Sequence, residues 1–401
     1  MTLSRLGDAL DAALHDAVTG DDHVPGVVAM VTGRSQTIYS STAGVRSLGD
    51  AQPMTEDTVF ALFSATKPLT ATAVLQCVEE GLLDLDAPAR DYVPAIGELQ
   101  VLVGFDAAGQ PVLRPPRREI TARMLMLHTA GFAYDIFSEP YNRLTEIGAK
   151  PPIGSGQMAA LLSPLLFDPG ERWQYGISMD WAGLVVEAVR GQRLGDVLSE
   201  RVFAPLGMGD TAFTCSPSMR SRLATMHARS DDGTPTPLAI EPLADPEVHM
   251  GGGGLYSTVG DFARFLRVWL GDGDSDGGRL LRPATMAFAV RNGLRPDQRV
   301  VGLPSVVPAV TRPAEFFPGL PKSWAYSFMV NDEETPTGRP AGSLAWAGLA
   351  NVFFWIDRRT GIAGVWAAQL LPFCDERALG DYLRFETAVY AHDLPTPRGL
   401  G

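Results

Sequence analysis

Apolar residues at Leu3, Leu6, Leu10, Leu14 and Val18 recur at helical spacing, so the chain opens with an amphipathic helix. Two runs rich in β-branched and small residues follow, 26–33 and 36–44, and read as strands joined by a turn at Gly33-Arg34. From residue 64 the pattern is helical as far as 80, with Gly81 at the C-cap position. A turn-rich stretch then holds two short strand-like runs, 99–104 and 110–114. Helices are predicted at 121–128, 156–163, 178–190 and 194–203. The last part of the chain returns to strand-like runs at 324–331, 343–348, 351–357 and 361–369, and closes with a helix over 376–391.

Strands at both ends with helices between them predict an α/β (α+β) fold. One mostly antiparallel sheet is flanked by N- and C-terminal helices and carries an inserted, mainly helical lobe. The expected division is 1–62 plus 250–401 for the discontinuous α/β domain and 63–249 for the helical domain, with an active site at their interface. Connections between the last strands are too short for crossovers and favour hairpins.

Composition narrows the function classes. At 401 residues the chain is long enough for two lobes and a buried pocket. A net charge of -13 repels phosphate backbones and anionic lipid, which argues against nucleic-acid and membrane partners. Asp8 and Asp11 interrupt the first helix, so it is not a signal peptide, and no run approaches the ~18 apolar residues of a membrane span. A cytoplasmic location is the expectation, and the oligomeric state is left open. Cys77, Cys215 and Cys374 are odd in number and lack CxxC spacing, so neither a disulfide framework nor a zinc site follows. Arg114, Arg117 and Arg118 lie among prolines and read as a solvated loop. Asp272, Asp274, Asp276 and Gly277 imitate the opening of a calcium loop, but Pro283 occupies the position that needs a bidentate glutamate. The run Gly251–Gly254 fits no phosphate-binding pattern. No metal and no cofactor is expected.

The chemistry begins at Phe63-Ser64-Ala65-Thr66-Lys67, an S-x-x-K at the start of the predicted helix. Residues i and i+3 share a helix face, so the Ser64 hydroxyl and the Lys67 amine can meet. A desolvated lysine amine can accept the serine proton, which an arginine cannot. The chain has only three lysines, Lys67, Lys150 and Lys322, against 30 arginines and 21 serines. Random placement would produce the spacing in about one such chain in six. Two further segments bear on it: Pro169–Asp180, in which Tyr175 precedes a helix, and Trp346-Ala347-Gly348-Leu349 on a C-terminal strand. Alone, the first is a packed tyrosine and the second a strand glycine beside a tryptophan; glycine there would let a substrate approach the backbone.

Together the three segments resemble the serine β-lactamase-like superfamily, the fold of class C β-lactamases and penicillin-binding proteins. The resemblance extends to Leu127–Gly131, Pro205–Met208 and Gly252–Thr258 and covers about residues 25–390. Within it, Ile177 replaces the asparagine of a Tyr-x-Asn motif, and Trp346 replaces the lysine of Lys-Thr-Gly. Losing an amide and a cation favours uncharged esters over β-lactams. That pattern is similar to the family VIII carboxylesterases, from whose Tyr-Ser second motif Gly176 departs.

The resemblance implies a serine carboxylesterase with Ser64, Lys67 and Tyr175 as catalytic residues. The oxyanion hole would be the backbone N–H groups of Ser64 and Leu349, and Tyr134, Ile177, Trp346 and Gly348 would contact a small-molecule ester. It does not choose between Lys67 and Tyr175 as general base. His128 is expected to be structural. The alternatives are an acyltransferase of the statin-side-chain type using the same triad, an amide or β-lactam hydrolase, and a non-catalytic scaffold. The intact triad disfavours the last. The G-x-S-x-G spacing occurs once, at Gly273–Gly277, inside the acidic glycine-rich run that reads as a surface turn rather than on a strand-to-helix elbow, and HExxH does not occur, so the α/β-hydrolase and zincin readings have little support.

Overall fold

The computed structural model describes residues 3–50, 52–230, 232–275 and 277–392. Its centre is a seven-stranded antiparallel sheet: β1 (Gly26–Thr32), β2 (Thr37–Gly44), β3 (Lys322–Ala325), β4 (Phe328–Asn331), β5 (Leu344–Gly348), β6 (Val352–Asp357) and β7 (Ile362–Ala367). The spatial order is β3-β4-β5-β6-β7-β1-β2. The two ends of the chain meet at the β1–β7 ladder, where Val28 lies opposite Ala367. The fold is that of the β-lactamase/transpeptidase type expected from the sequence. Among the strands of the sheet one run differs: 324–331 is not a single strand but the β3–β4 hairpin, reversing at Ser327 with φ 78°.

The sheet is covered on both faces, which is why β6 is apolar at nearly every position and buried throughout. Successive side chains alternate between faces. Phe353 stacks on Tyr382 of α5 (Glu376–Tyr390) at 4.6 Å, and Trp355 meets Phe385 of the same helix. Phe354, between them, points the other way and meets Phe262 of α4 (Val259–Leu270) edge-on at 5.2 Å. The N-terminal helix α1 (Leu3–Ala17) buries Leu6, Leu10 and Leu14 on the α5 side.

Two helices from the middle of the chain frame the site: α2 (Lys67–Glu79) and α3 (Ser178–Arg190), which pack together. α2 is buried along almost its whole length, so its apolar residues carry no amphipathic stripe. Gly81, with φ 72°, follows the C-cap residue Glu80. The segment 156–163 contracts to a single helical turn, Met158–Leu161.

The reading of Arg114 as solvated requires correction. Its guanidinium grips Asp168 with two 2.8 Å hydrogen bonds, and the Arg117 N–H adds a third. Asp168 is 2% exposed and its carboxyl is held down to about 2, chiefly by the Arg114 hydrogen bond. The cluster therefore anchors the Asp168-Pro169-Gly170 turn that leads to Tyr175. Asp276 of the acidic run lies outside the described residues. No helix among the described residues is long and apolar enough to cross a membrane. No group of three or more metal-ligating side chains occurs among them.

Candidate active site

Ser64 sits on a 3₁₀ turn, Phe63–Thr66, that runs straight into α2 at Lys67. The short strand Val59–Ala61 enters this turn, held by antiparallel pairing to Tyr256–Thr258 and by Gln369, which clamps both backbone groups of Ala61 at 3.1 Å. Phe63 takes φ 45°, a left-handed conformation that costs a non-glycine residue about 1–3 kcal/mol. That sharp reversal presents the Ser64 hydroxyl to the cavity.

Lys67 is completely buried, and its ammonium nitrogen has three partners: Ser64 Oγ at 3.0 Å, Tyr134 Oη at 3.1 Å and the Gly252 carbonyl at 2.6 Å. Burial lowers its pKa from the usual lysine range to about 7, against the opposing pull of Asp180. A protonated amine donates to all three partners. A neutral amine still donates to Gly252 O and Tyr134 Oη, which leaves its lone pair for the serine proton. The site therefore accommodates both protonation states without moving a heavy atom.

Tyr175 is buried, with its ring 4.8 Å from both Trp346 and His128. Its Oη accepts the Trp346 indole N–H at 3.0 Å. Burial pushes the phenol well above its ordinary pKa, while hydrogen bonds with Ser64 and Trp346 oppose that rise. With an acceptor site already filled by Trp346, the phenol proton is available to Ser64 or to a leaving group. Gly176 is required here, because a Cβ would lie 2.4 Å from the Ala133 backbone; the departure from a Tyr-Ser motif is steric.

Of the residues expected to touch substrate, Tyr134 and Trp346 line the cavity and Ile177 and Gly348 do not. Ile177 is the buried N-cap of α3, packed in the main core. Gly348 faces the entry to the Ser64 turn instead: a Cβ on it would stand 2.2 Å from the Leu62 carbonyl oxygen. Close backbone approach is real at this position, and protein rather than substrate makes it. Ser64 and Leu349 line the cavity, and neither backbone N–H has an acceptor among the described residues. His128 lies under Tyr175 with φ 54° and is wholly buried, and burial drops its pKa far below the usual value. It stays neutral and packs the site.

Three contacts were not visible in the motifs. Tyr134 bonds Lys67 as well as lining the pocket, and Trp346 bonds Tyr175. Asp180, on the first turn of α3, accepts the Gly252 N–H at 2.8 Å. The glycine run and a carboxylate five residues beyond the tyrosine were the available signals.

The cavity beside Ser64 measures about 440 Å³ and is walled by apolar side chains including Ile136, Phe137, Phe213, Met250 and Phe373. Among the described residues, its charged lining residues are Asp180 and Glu241, and no lysine or arginine lines it.

The model of the Beta-lactamase family matches residues 10–389. The chain belongs to the beta-lactamase family. Among its relatives, a lovastatin esterase from Penicillium rubens is 30% identical over 384 residues, covering 92% of this chain and 93% of that protein. A monacolin J acid methylbutanoyltransferase from Aspergillus terreus is 32% identical over 393 residues, covering 92% of each. The solved structure of simvastatin synthase (LovD) from Aspergillus terreus superposes with a TM-score of 0.82 at 29% identity, covering 98% of both chains. A family VIII carboxylesterase shares the fold at a TM-score of 0.66 and 20% identity, over 97% of each chain. Beta-lactamase-family proteins of this kind thus include both an esterase and an acyltransferase at nearly equal distance.

Proposed function

We propose that this beta-lactamase-family protein is a serine carboxylesterase that forms an acyl-enzyme on Ser64 from small to medium uncharged esters. The observation that carries the reading is the environment of Lys67. It is a fully buried amine at 3.0 Å from a serine hydroxyl, with burial bringing its pKa to about 7. An apolar cavity without a lining cation supports an uncharged substrate, since a carboxylate there would lose hydration without gaining a partner.

In this mechanism Ser64 Oγ attacks the ester carbonyl while its proton passes to neutral Lys67. The carbonyl oxygen becomes an oxyanion facing the Ser64 and Leu349 N–H groups. Collapse breaks the bond to the leaving alkoxide, which takes a proton from Tyr175; Lys67 restores the tyrosine proton and is neutral again. Water then attacks the acyl-enzyme, giving its proton to Lys67, and Ser64 leaves with that proton. Burial brings Lys67 toward neutrality and keeps Tyr175 protonated, so in this mechanism Lys67 is the general base and Tyr175 the general acid.

A second reading, acyl transfer to an alcohol, uses the same residues. It is favoured by the likeness to the monacolin J acid methylbutanoyltransferase and by a cavity large enough for a small-molecule acceptor. A short-chain p-nitrophenyl ester tests both: wild type is expected to hydrolyse it and Ser64→Ala to show none of that turnover. Full activity in Ser64→Ala overturns the mechanism. Added alcohols then compete with water for the acyl-enzyme, and ester product dominating at low alcohol concentration replaces hydrolase with transferase.

A further inference from the structure

Asp180 has no role in the triad, yet it is 1% exposed and lies at the centre of the site. Its Oδ1 accepts the N–H of Gly252, whose own carbonyl accepts the shortest of the Lys67 hydrogen bonds, 2.6 Å. Its Oδ2 has no hydrogen-bond partner among the described residues. The approach is so close that a Cβ on Gly252 would stand 2.6 Å from Oδ2, so only glycine fits between carboxylate and lysine. Gly251, next to it, is held by Thr70 of α2 through its carbonyl at 2.8 Å, which fixes the strand of backbone between them.

We propose that Asp180 is a positioning residue and charge partner for Lys67, acting through the Gly252 backbone. The carboxylate orients the Gly252 peptide so that its carbonyl takes one Lys67 N–H. With Tyr134 Oη taking a second, the remaining tetrahedral position points at Ser64 Oγ. Its negative charge also favours the ammonium form and so sets the pH at which Lys67 becomes a base. The inference rests on Lys67 being the proton acceptor of the proposed reaction.

The titratable groups around Lys67 are Asp180 from α3, Tyr175 from the loop before it, and Tyr134 and His128 from the 127–134 segment. Burial keeps both tyrosines protonated and His128 neutral, which leaves Asp180 as the anion of the set. Burial raises Asp180 itself, and Lys67 opposes that rise, as expected of two buried groups that stabilise each other's charge.

Asp180→Asn separates charge from shape, because its amide oxygen still accepts the Gly252 N–H. The acid limb of kcat/KM against pH is expected to move down by about one unit with KM unchanged. Asp180→Ala loses the anchor as well, and kcat is expected to fall by about tenfold or more. With three lysines in the chain, ¹³Cε-lysine NMR follows Lys67 independently of turnover, assigned by its loss in Lys67→Arg. Its midpoint is expected to drop in Asp180→Asn to the same extent. A folded Asp180→Asn whose rate profile and lysine titration both match wild type overturns the proposal. Should Asp180→Asn fail to fold, Asp180→Ser is read in the same way. If Ser64→Ala retained activity, the proposed reaction would fall, while the lysine titration would still decide whether Asp180 governs Lys67.

Discussion

Gly348→Ala tests how the sheet holds the turn that carries Ser64. Gly348 ends β5 opposite Val352, and its Cα hydrogen faces the Leu62 carbonyl. A methyl group there would sit 2.2 Å from that oxygen, whereas ordinary contact begins at 3.4 Å. The backbone must therefore open by about 1 Å. On the β5 side the ladder to β6 resists the shift, and the new Cβ would also meet Val352 Cβ at 3.3 Å. On the other side, the Leu62 carbonyl accepts the Ala65 N–H at 3.1 Å, so displacement passes into the 3₁₀ turn that carries Ser64. Lys67 is held separately by Gly252, so Ser64 moves relative to Lys67. Overpacking of this kind costs about 1–3 kcal/mol of stability, and a ~1 Å misplacement of a reacting group costs about 10²-fold in rate. The assay is kcat/KM on a p-nitrophenyl ester, normalised by burst titration of active sites, with a thermal melt in parallel. Gly209→Ala is the control, since a Cβ there meets nothing within 4 Å. A kcat/KM for Gly348→Ala within twofold of wild type would refute the claim that this glycine is sterically required.

Trp346→Phe removes the N–H that Tyr175 Oη accepts and leaves a buried phenol oxygen short of a donor. The expected loss is about 1–2 kcal/mol, or about tenfold in kcat, measured on the same ester; an unchanged kcat would detach Trp346 from the chemistry. The rate should also depend on pH in a defined direction. Below about 7 Lys67 keeps its proton and cannot take that of Ser64, so kcat/KM is expected to rise as pH increases through that value. A flat profile from pH 5 to 9 would remove Lys67 as the proton acceptor.

The sequence alone determined the elements whose signals are local. Helix α3 and the closing helix followed from apolar period, and the S-x-x-K pair from the fixed geometry of one helical turn. The sheet's antiparallel character followed from connections too short to cross over. Periodicity could not show that 324–331 folds back on itself, because a buried hairpin and one long strand have the same apolar composition. Arg114 was misread for a related reason: its partner Asp168 lies 54 residues away, and an isolated basic cluster has the composition of a solvated loop. Ile177 and Gly348 carried motif positions, but whether a motif residue faces cavity or core depends on packing that the motif does not encode. The path from Asp180 through Gly252 to Lys67 joins residues 72 and 185 positions apart, and Trp346 meets Tyr175 across 171. Such contacts arise where α2 and α3 pack together beside the Gly251–Gly254 run, and desolvation at that junction is what lowers the pKa of Lys67. Neighbours in sequence paired Ser64 with Lys67; burial by distant segments set the state of that lysine.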